Sequence, residues 1–134
     1  MTYLDTNVLV YATLTFVDTQ SQQDKAIEIL KKLIDEKSLV LSSLNLLEYV
    51  FVMKKAKEDT EKIESALKLF QSFVMDENDG FSAYLTKQLN DEYAFKNSFD
   101  LYHVVFSNFH NCEKVITFDK GFKKFKDICK IDIL

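Results

Sequence analysis

Proline and arginine are absent from the 134 residues, and glycine occurs only at positions 80 and 121. With so little Pro and Gly, no linker marks a domain boundary. There is also no glycine-rich loop of the kind that cradles a nucleotide phosphate. Two cysteines, Cys112 and Cys129, are too few for a disulfide framework. Neither has a Cys or His partner at zinc-site spacing, so both read as reduced thiols of a cytosolic protein. No apolar run reaches membrane-spanning length. The first residues lack a basic stretch followed by an apolar one and a cleavage site, so no signal peptide is expected. All 17 basic residues are lysine and the formal net charge is -4. Any phosphate contact must therefore be a point-charge contact or run through a metal, without the bidentate fork of Arg.

What is present suits one compact domain, 47% apolar and long enough for a real core. Tyr3-Leu4 reads as a short buried strand that stops at Asp5 and turns into an apolar helix from Asn7 to Phe16. Lys25 to Asp35 carries Ala26, Ile27, Leu30, Leu33 and Ile34 at helical spacing. Leu39 to Leu41 is a second strand, with Ser42 or Ser43 capping a helix that runs to about Lys57. Thr60 is expected to N-cap the next helix, whose apolar face is Ile63, Ala66, Leu67, Phe70, Phe73 and Val74. Residues 76–80 read as a turn, 81–85 as a third strand and 86–96 as a helix. Another helix starts near Asp100. Val115 to Phe118 is a strand, Lys120 to Phe125 a short helix and Ile128 to Leu134 the last strand. Such alternation predicts an α/β fold, a parallel sheet of about five strands flanked by helices on both faces.

Four of the 21 acidic residues sit in settings odd for a carboxylate. Glu48 lies in Leu44-Asn-Leu-Leu-Glu-Tyr-Val-Phe-Val-Met53, with Leu44, Phe51 and Val52 as helical neighbours. A carboxylate there is expensive to bury unless paired; otherwise it faces a narrow wet stripe, beside Asn45. Asp5 and Asp119 each end a strand, which in a parallel sheet places them on one edge, where ligands bind. Asp100 opens an apolar helix. Each of these three has N-capping as its plain alternative. Taken with Glu48 they form a set of acids with no Arg or His to neutralise them. Clustered carboxylates of this kind call for a divalent cation, and oxygen-only ligation suits Mg²⁺ or Mn²⁺.

The chain resembles the PIN-domain nucleases, and within them the small VapC-type toxins of prokaryotic toxin–antitoxin pairs. The resemblance rests on Leu4-Asp-Thr-Asn7 before an apolar helix, the mid-helix Glu48, Asp100 with His103 three residues on, and Thr117-Phe-Asp119 with Phe122 following. It covers essentially the whole chain. It implies a metal-dependent endoribonuclease in which Asp5, Glu48, Asp100 and Asp119 hold one or two Mg²⁺ or Mn²⁺ ions. Asp5 and Asp100 would be the main ligands, with Asn7 and Thr117 in support. It also implies an RNA substrate, a cognate antitoxin and a homodimer. Lys120, Lys123 and Lys124, close behind Asp119, are candidates for holding RNA phosphates, with a solvated helix face as the alternative. His103 reads as packing and His110 as surface. A phospho-acceptor role for Asp5 fits poorly, because a haloacid-dehalogenase-like phosphatase wants Asp where Asn7 stands. A receiver domain wants an early acidic pair and a late Lys, and neither is evident. The rivals are a non-catalytic binding module on the same fold and a PIN nuclease of RNA processing rather than a toxin.

Overall fold

The computed structural model describes residues 1–76, 90 and 96–134. Four parallel strands form one sheet: β1 (Thr2–Leu4), β2 (Leu39–Val40), β3 (Lys114–Thr117) and β4 (Ile131–Ile133), in the order β2-β1-β3-β4. The helices described over their full length are α1 (Thr6–Thr13), α2 (Gln20–Asp35), α3 (Ser43–Lys55), α4 (Thr60–Gln71) and α5 (Ser98–Phe109), with a 3₁₀ helix at Lys120–Phe125. None of the described helices is long and apolar enough to cross a membrane.

Strand alternation builds a core on each face of the sheet. Leu4, Leu39, Leu41 and Ile116 face one way and pack with residues of α1 to α4, among them Val8, Leu9, Ala26, Leu33, Met53, Ile63 and Phe70. Tyr3, Val40 and Val115 face the other way and pack with Leu101, Tyr102, Val104 and Phe106 of α5 and with Phe122 and Phe125. Helices thus cover both faces, as the alternating pattern predicts. Among the described residues the sheet has four strands, against the expected five or so. The segment 81–85, read as a strand, lies outside the described residues, as do the 77–80 part of the turn and most of the 86–96 helix. Beyond β2 the described residues add only one parallel bridge, Leu41 to Val74.

That bridge corrects the reading of Phe73 and Val74 as helical. Helix α4 stops at Gln71, because the Leu41 N–H donates to the Phe73 carbonyl (2.9 Å) and the Met75 N–H to the Leu41 carbonyl (3.1 Å). Its cap is Asp59, whose carboxylate accepts from the Lys62 N–H, so Thr60 is the first helical residue and not the N-cap. Helix α1 likewise ends before Phe16. Gln23 Nε2 donates to the Tyr11 carbonyl (3.1 Å), the acceptor that a further turn would use. Glu58 meanwhile takes the Thr15 N–H (2.6 Å) and hydroxyl (2.9 Å). Ile27, expected on the buried stripe of α2, is exposed.

The shortage of glycine has a local consequence. Three helices end in a left-handed residue that is not glycine: Lys37, Lys57 and Asn111, with φ of 54°, 60° and 55°. Each is held by the paired backbone bonds of a Schellman ending, as in Ser38 N–H to the Leu33 carbonyl (2.9 Å) and Lys37 N–H to the Ile34 carbonyl (3.0 Å).

Candidate metal centre

Strand β1 lies inside the sheet between β2 and β3, so the turn after Leu4 opens at the middle of the carboxyl edge. Asp5 occupies that turn and is 7% exposed. Its backbone N–H still donates to the Ile116 carbonyl of β3 (2.9 Å). Its Oδ1 accepts the Thr6 N–H (2.7 Å) and its Oδ2 accepts the Thr117 hydroxyl (2.6 Å). Asp5 therefore does N-cap α1, and it is also a buried, doubly anchored carboxylate at the sheet edge. Burial pushes its carboxyl above the usual range, and the His103 charge and the Thr117 hydroxyl offset that only in part.

Thr117 is fully buried at the end of β3. Besides donating to Asp5, its hydroxyl accepts from Asn7 Nδ2 (3.1 Å) and from the Asp119 N–H (2.9 Å). Asn7 Oδ1 in turn accepts the Phe118 N–H (3.3 Å). The two small polar residues thus tie the start of α1 to the end of β3.

Glu48 reaches the same place from α3, with its side chain 33% exposed. It does not lie on a wet stripe beside Asn45, because Asn45 is fully buried. Ser42 caps α3 in a capping box with Asn45. The spare amide hydrogens of Asn45 go to the Leu4 carbonyl (3.2 Å) and the Thr6 hydroxyl (3.0 Å). Thr6 Oγ1 then donates to Glu48 Oε1 (2.7 Å).

The expectation that no His stands near these acids is overturned. His103 is buried on α5, with Nε2 2.6 Å from Glu48 Oε1 and 3.7 Å from Asp5 Oδ1. Its Nδ1 is 2.5 Å from Tyr3 Oη. It does pack, against the rings of Tyr3 and Tyr102, but packing is not all it does. The signal that finds it is the one that singled out Glu48: a polar group among Leu101, Val104 and Val105 needs a partner. Burial by itself would lower the imidazole pKa. The Glu48 hydrogen bond and the charges of Asp5, Glu48 and Asp100 outweigh burial and raise it. For Glu48, burial acts upward, but the His103 bond and charge and the Thr6 hydroxyl win and bring it below its ordinary value.

These shifts fix a pH dependence for the protein in chelator. A group raised on folding contributes stability that is present below its unfolded pKa and lost as pH rises through the folded one. For His103 that loss begins near its ordinary value of 6.5. Asp5 and Asp100 are also raised, so their contribution is likewise lost as pH rises from their ordinary value of 3.8; Glu48 is lowered and weakens the fold only as pH falls below its ordinary value of 4.5. The melting temperature should therefore fall as pH rises above about 6.5. His103→Gln should flatten that slope, and an equal slope in the variant would show that another group causes it.

Asp100 lies in the first turn of α5, where Asn97 is the N-cap, so the capping alternative for Asp100 fails. Burial raises its carboxyl, the Asp119 charge adds to this, and Lys124 and His103 oppose it. Asp119 caps the 3₁₀ helix, its Oδ1 accepting the Gly121 N–H at 2.7 Å. A Cβ on residue 121 would meet that oxygen at 3.0 Å. Among the described residues, Asp5, Glu48 and His103 form the group whose ligand atoms lie within 4.8 Å of one another. Asp100 and Asp119 stand outside it. Lys124 Nζ donates to Asn97 Oδ1 (2.6 Å), and with Lys96, Phe99 and Asp100 these two residues line an open cleft. Lys120 and Lys123 are exposed on the 3₁₀ helix.

The donor set fits a small divalent cation. Burying Asp5 and Glu48 side by side is costly, and the nearby imidazole nitrogen already serves Glu48, which leaves carboxylate oxygen as the ligand type.

The family described as PIN domain matches residues 2–128. Among curated proteins none matches the chain.

Proposed function

The chain belongs to the PIN-domain family, a nuclease fold, and from that membership we propose that it is a metal-dependent endoribonuclease, the toxin of a VapBC-type pair. The observation that carries the reading is the buried Asp5, locked by Thr117 and Thr6 opposite Glu48 at the carboxyl edge of the sheet. Asp5 and Asp100 would hold Mg²⁺ or Mn²⁺, with Asp119 and Glu48 completing the set. When bound, such an ion would lower the pKa of water and offset charge on the phosphate oxygens. The chain's own part is orientation. Thr117 and the Thr6 N–H fix both Asp5 oxygens, and Thr6 and His103 fix Glu48. Lys124, beside Asp100, with Lys120 and Lys123 on the same 3₁₀ helix, would take phosphates of the RNA. Next to Glu48, exposed Leu47, Phe51 and Phe99 form an apolar surface suited to burial by a cognate antitoxin or in a homodimer.

Cleavage of RNA by the purified, antitoxin-free protein with Mg²⁺ or Mn²⁺, measured against EDTA, tests the reading. Cleavage should appear with metal and vanish in EDTA. A folded protein that cuts nothing with either metal would instead be a binding module on a nuclease fold.

A further inference from the structure

Glu48 Oε1 accepts two hydrogen bonds, from His103 Nε2 (2.6 Å) and the Thr6 hydroxyl (2.7 Å). Both donors are themselves held from behind. Asn45 Nδ2 donates to Thr6 Oγ1 (3.0 Å). His103 Nδ1 meets Tyr3 Oη (2.5 Å), Tyr3 Oη meets Ser42 Oγ (2.8 Å), and Ser42 Oγ donates to Asn45 Oδ1 (3.2 Å). The six side chains close a circuit through β1, α1, α3 and α5, and Tyr3, Ser42 and Asn45 are fully buried.

The circuit has a direction. With His103 doubly protonated, Nδ1–H donates to Tyr3, Tyr3 to Ser42 and Ser42 to Asn45, while Nε2–H donates to Glu48. With His103 neutral, Tyr3 donates to Nδ1 and Nε2–H still points at Glu48. In both cases Glu48 Oε1 keeps two donors, and Oε2 has no hydrogen bond among the described residues. Apolar side chains of like volume would fill this space at similar stability, since exchanging both partners of a buried bond for apolar groups is close to neutral. Apolar packing cannot aim a carboxylate.

We propose that His103, backed by Tyr3, is the positioning residue for Glu48, holding Oε1 inside the fold and presenting Oε2 to the ion and water of the reaction. This rests on the nuclease reading above. Ring and carboxylate act as one unit, so a change at His103 reaches the site only through Glu48.

The test is a double-mutant cycle on Mn²⁺ affinity, read by electron paramagnetic resonance of free Mn²⁺, with RNA cleavage alongside. His103→Leu should weaken Mn²⁺ binding about tenfold, in the range of lost supporting contacts at metal sites, and lower kcat with little change in KM. His103→Gln, which keeps an N–H donor, should recover part of both. In a Glu48→Gln background, His103→Leu should add less than about twofold, since coupled residues are non-additive. Tyr3→Phe, a smaller change, should weaken Mn²⁺ binding a few-fold while circular dichroism keeps the native spectrum. Independent effects of His103→Leu and Glu48→Gln would overturn the proposal and make His103 a ligand in its own right or a packing residue. So would a Tyr3→Phe protein with a lowered melting temperature and unchanged Mn²⁺ affinity. If the wild-type chain neither binds Mn²⁺ nor cuts RNA, the nuclease reading falls and this proposal with it. If it does both and the cycle is additive, only the positioning role falls.

Discussion

Asp5→Asn should abolish metal-dependent RNA cleavage while leaving the protein folded. The two effects have separate causes. The charge lost is the one placed to hold a cation at the centre of the sheet edge. Losing supporting contacts alone costs about 10–100-fold at metal sites, so losing this ligand should cost at least about a hundredfold in kcat. Stability changes less because Asn caps a helix as well as Asp does and its Oδ1 can keep the Thr6 N–H, although its Nδ2 takes the place of the oxygen that accepts the Thr117 hydroxyl. A neutral amide also avoids the burial that raises the Asp5 carboxyl. Melting in chelator, set beside cleavage with Mn²⁺, reads both. An Asp5→Asn protein that cuts RNA at the wild-type rate would remove Asp5 from the site. A protein that unfolds would show that the carboxylate serves the fold.

Thr117→Val should weaken fold and site together. The substitution keeps shape and removes one hydroxyl that makes three contacts: to Asp5 Oδ2 (2.6 Å), from Asn7 Nδ2 (3.1 Å) and from the Asp119 N–H (2.9 Å). Afterwards a buried carboxylate oxygen, an amide and a backbone N–H lose their partner at once. At about 1–3 kcal/mol for a buried polar group left unsatisfied, the expected loss is about 3 kcal/mol, or roughly 10 °C in melting temperature for a domain of this size. Because Asp5 loses its anchor, kcat should fall about tenfold or more, with KM for RNA little changed. Thr117→Ser keeps the hydroxyl and should keep most of the activity. A Thr117→Val protein that melts lower yet cuts RNA normally would confine Thr117 to holding α1 against β3.

Asp5 and Glu48 were legible for different reasons. Asp5 stands at a strand-to-helix switch, and the first strand of an open α/β sheet favours its middle. Glu48 is a charge in an apolar helix, which needs an explanation wherever that helix packs. His103 obeys the same rule as Glu48, but its partner lies 55 positions earlier. No spacing rule links the two; only α3 and α5 arriving at the same edge does. The ends of α1 and α4 escaped for a related reason. Gln23, Glu58 and Leu41 take the backbone groups that further turns would use, and each comes from a different part of the chain.

By itself, then, the sequence determined the features that local order sets. Short β-branched and aromatic runs make buried strands, helical stripes between them force parallel pairing with cover on both faces, and strand ends place Asp5 and Asp119 on one edge. Only the tertiary structure decided which polar groups meet. It brought ligand atoms of Asp5, Glu48 and His103 within 4.8 Å of one another, a group that does not include Asp100 and Asp119, and closed the circuit behind Glu48. Hydrogen bonds form between atoms within about 3 Å of each other, and once a chain is folded that nearness is set by packing on a shared sheet and not by distance along the chain.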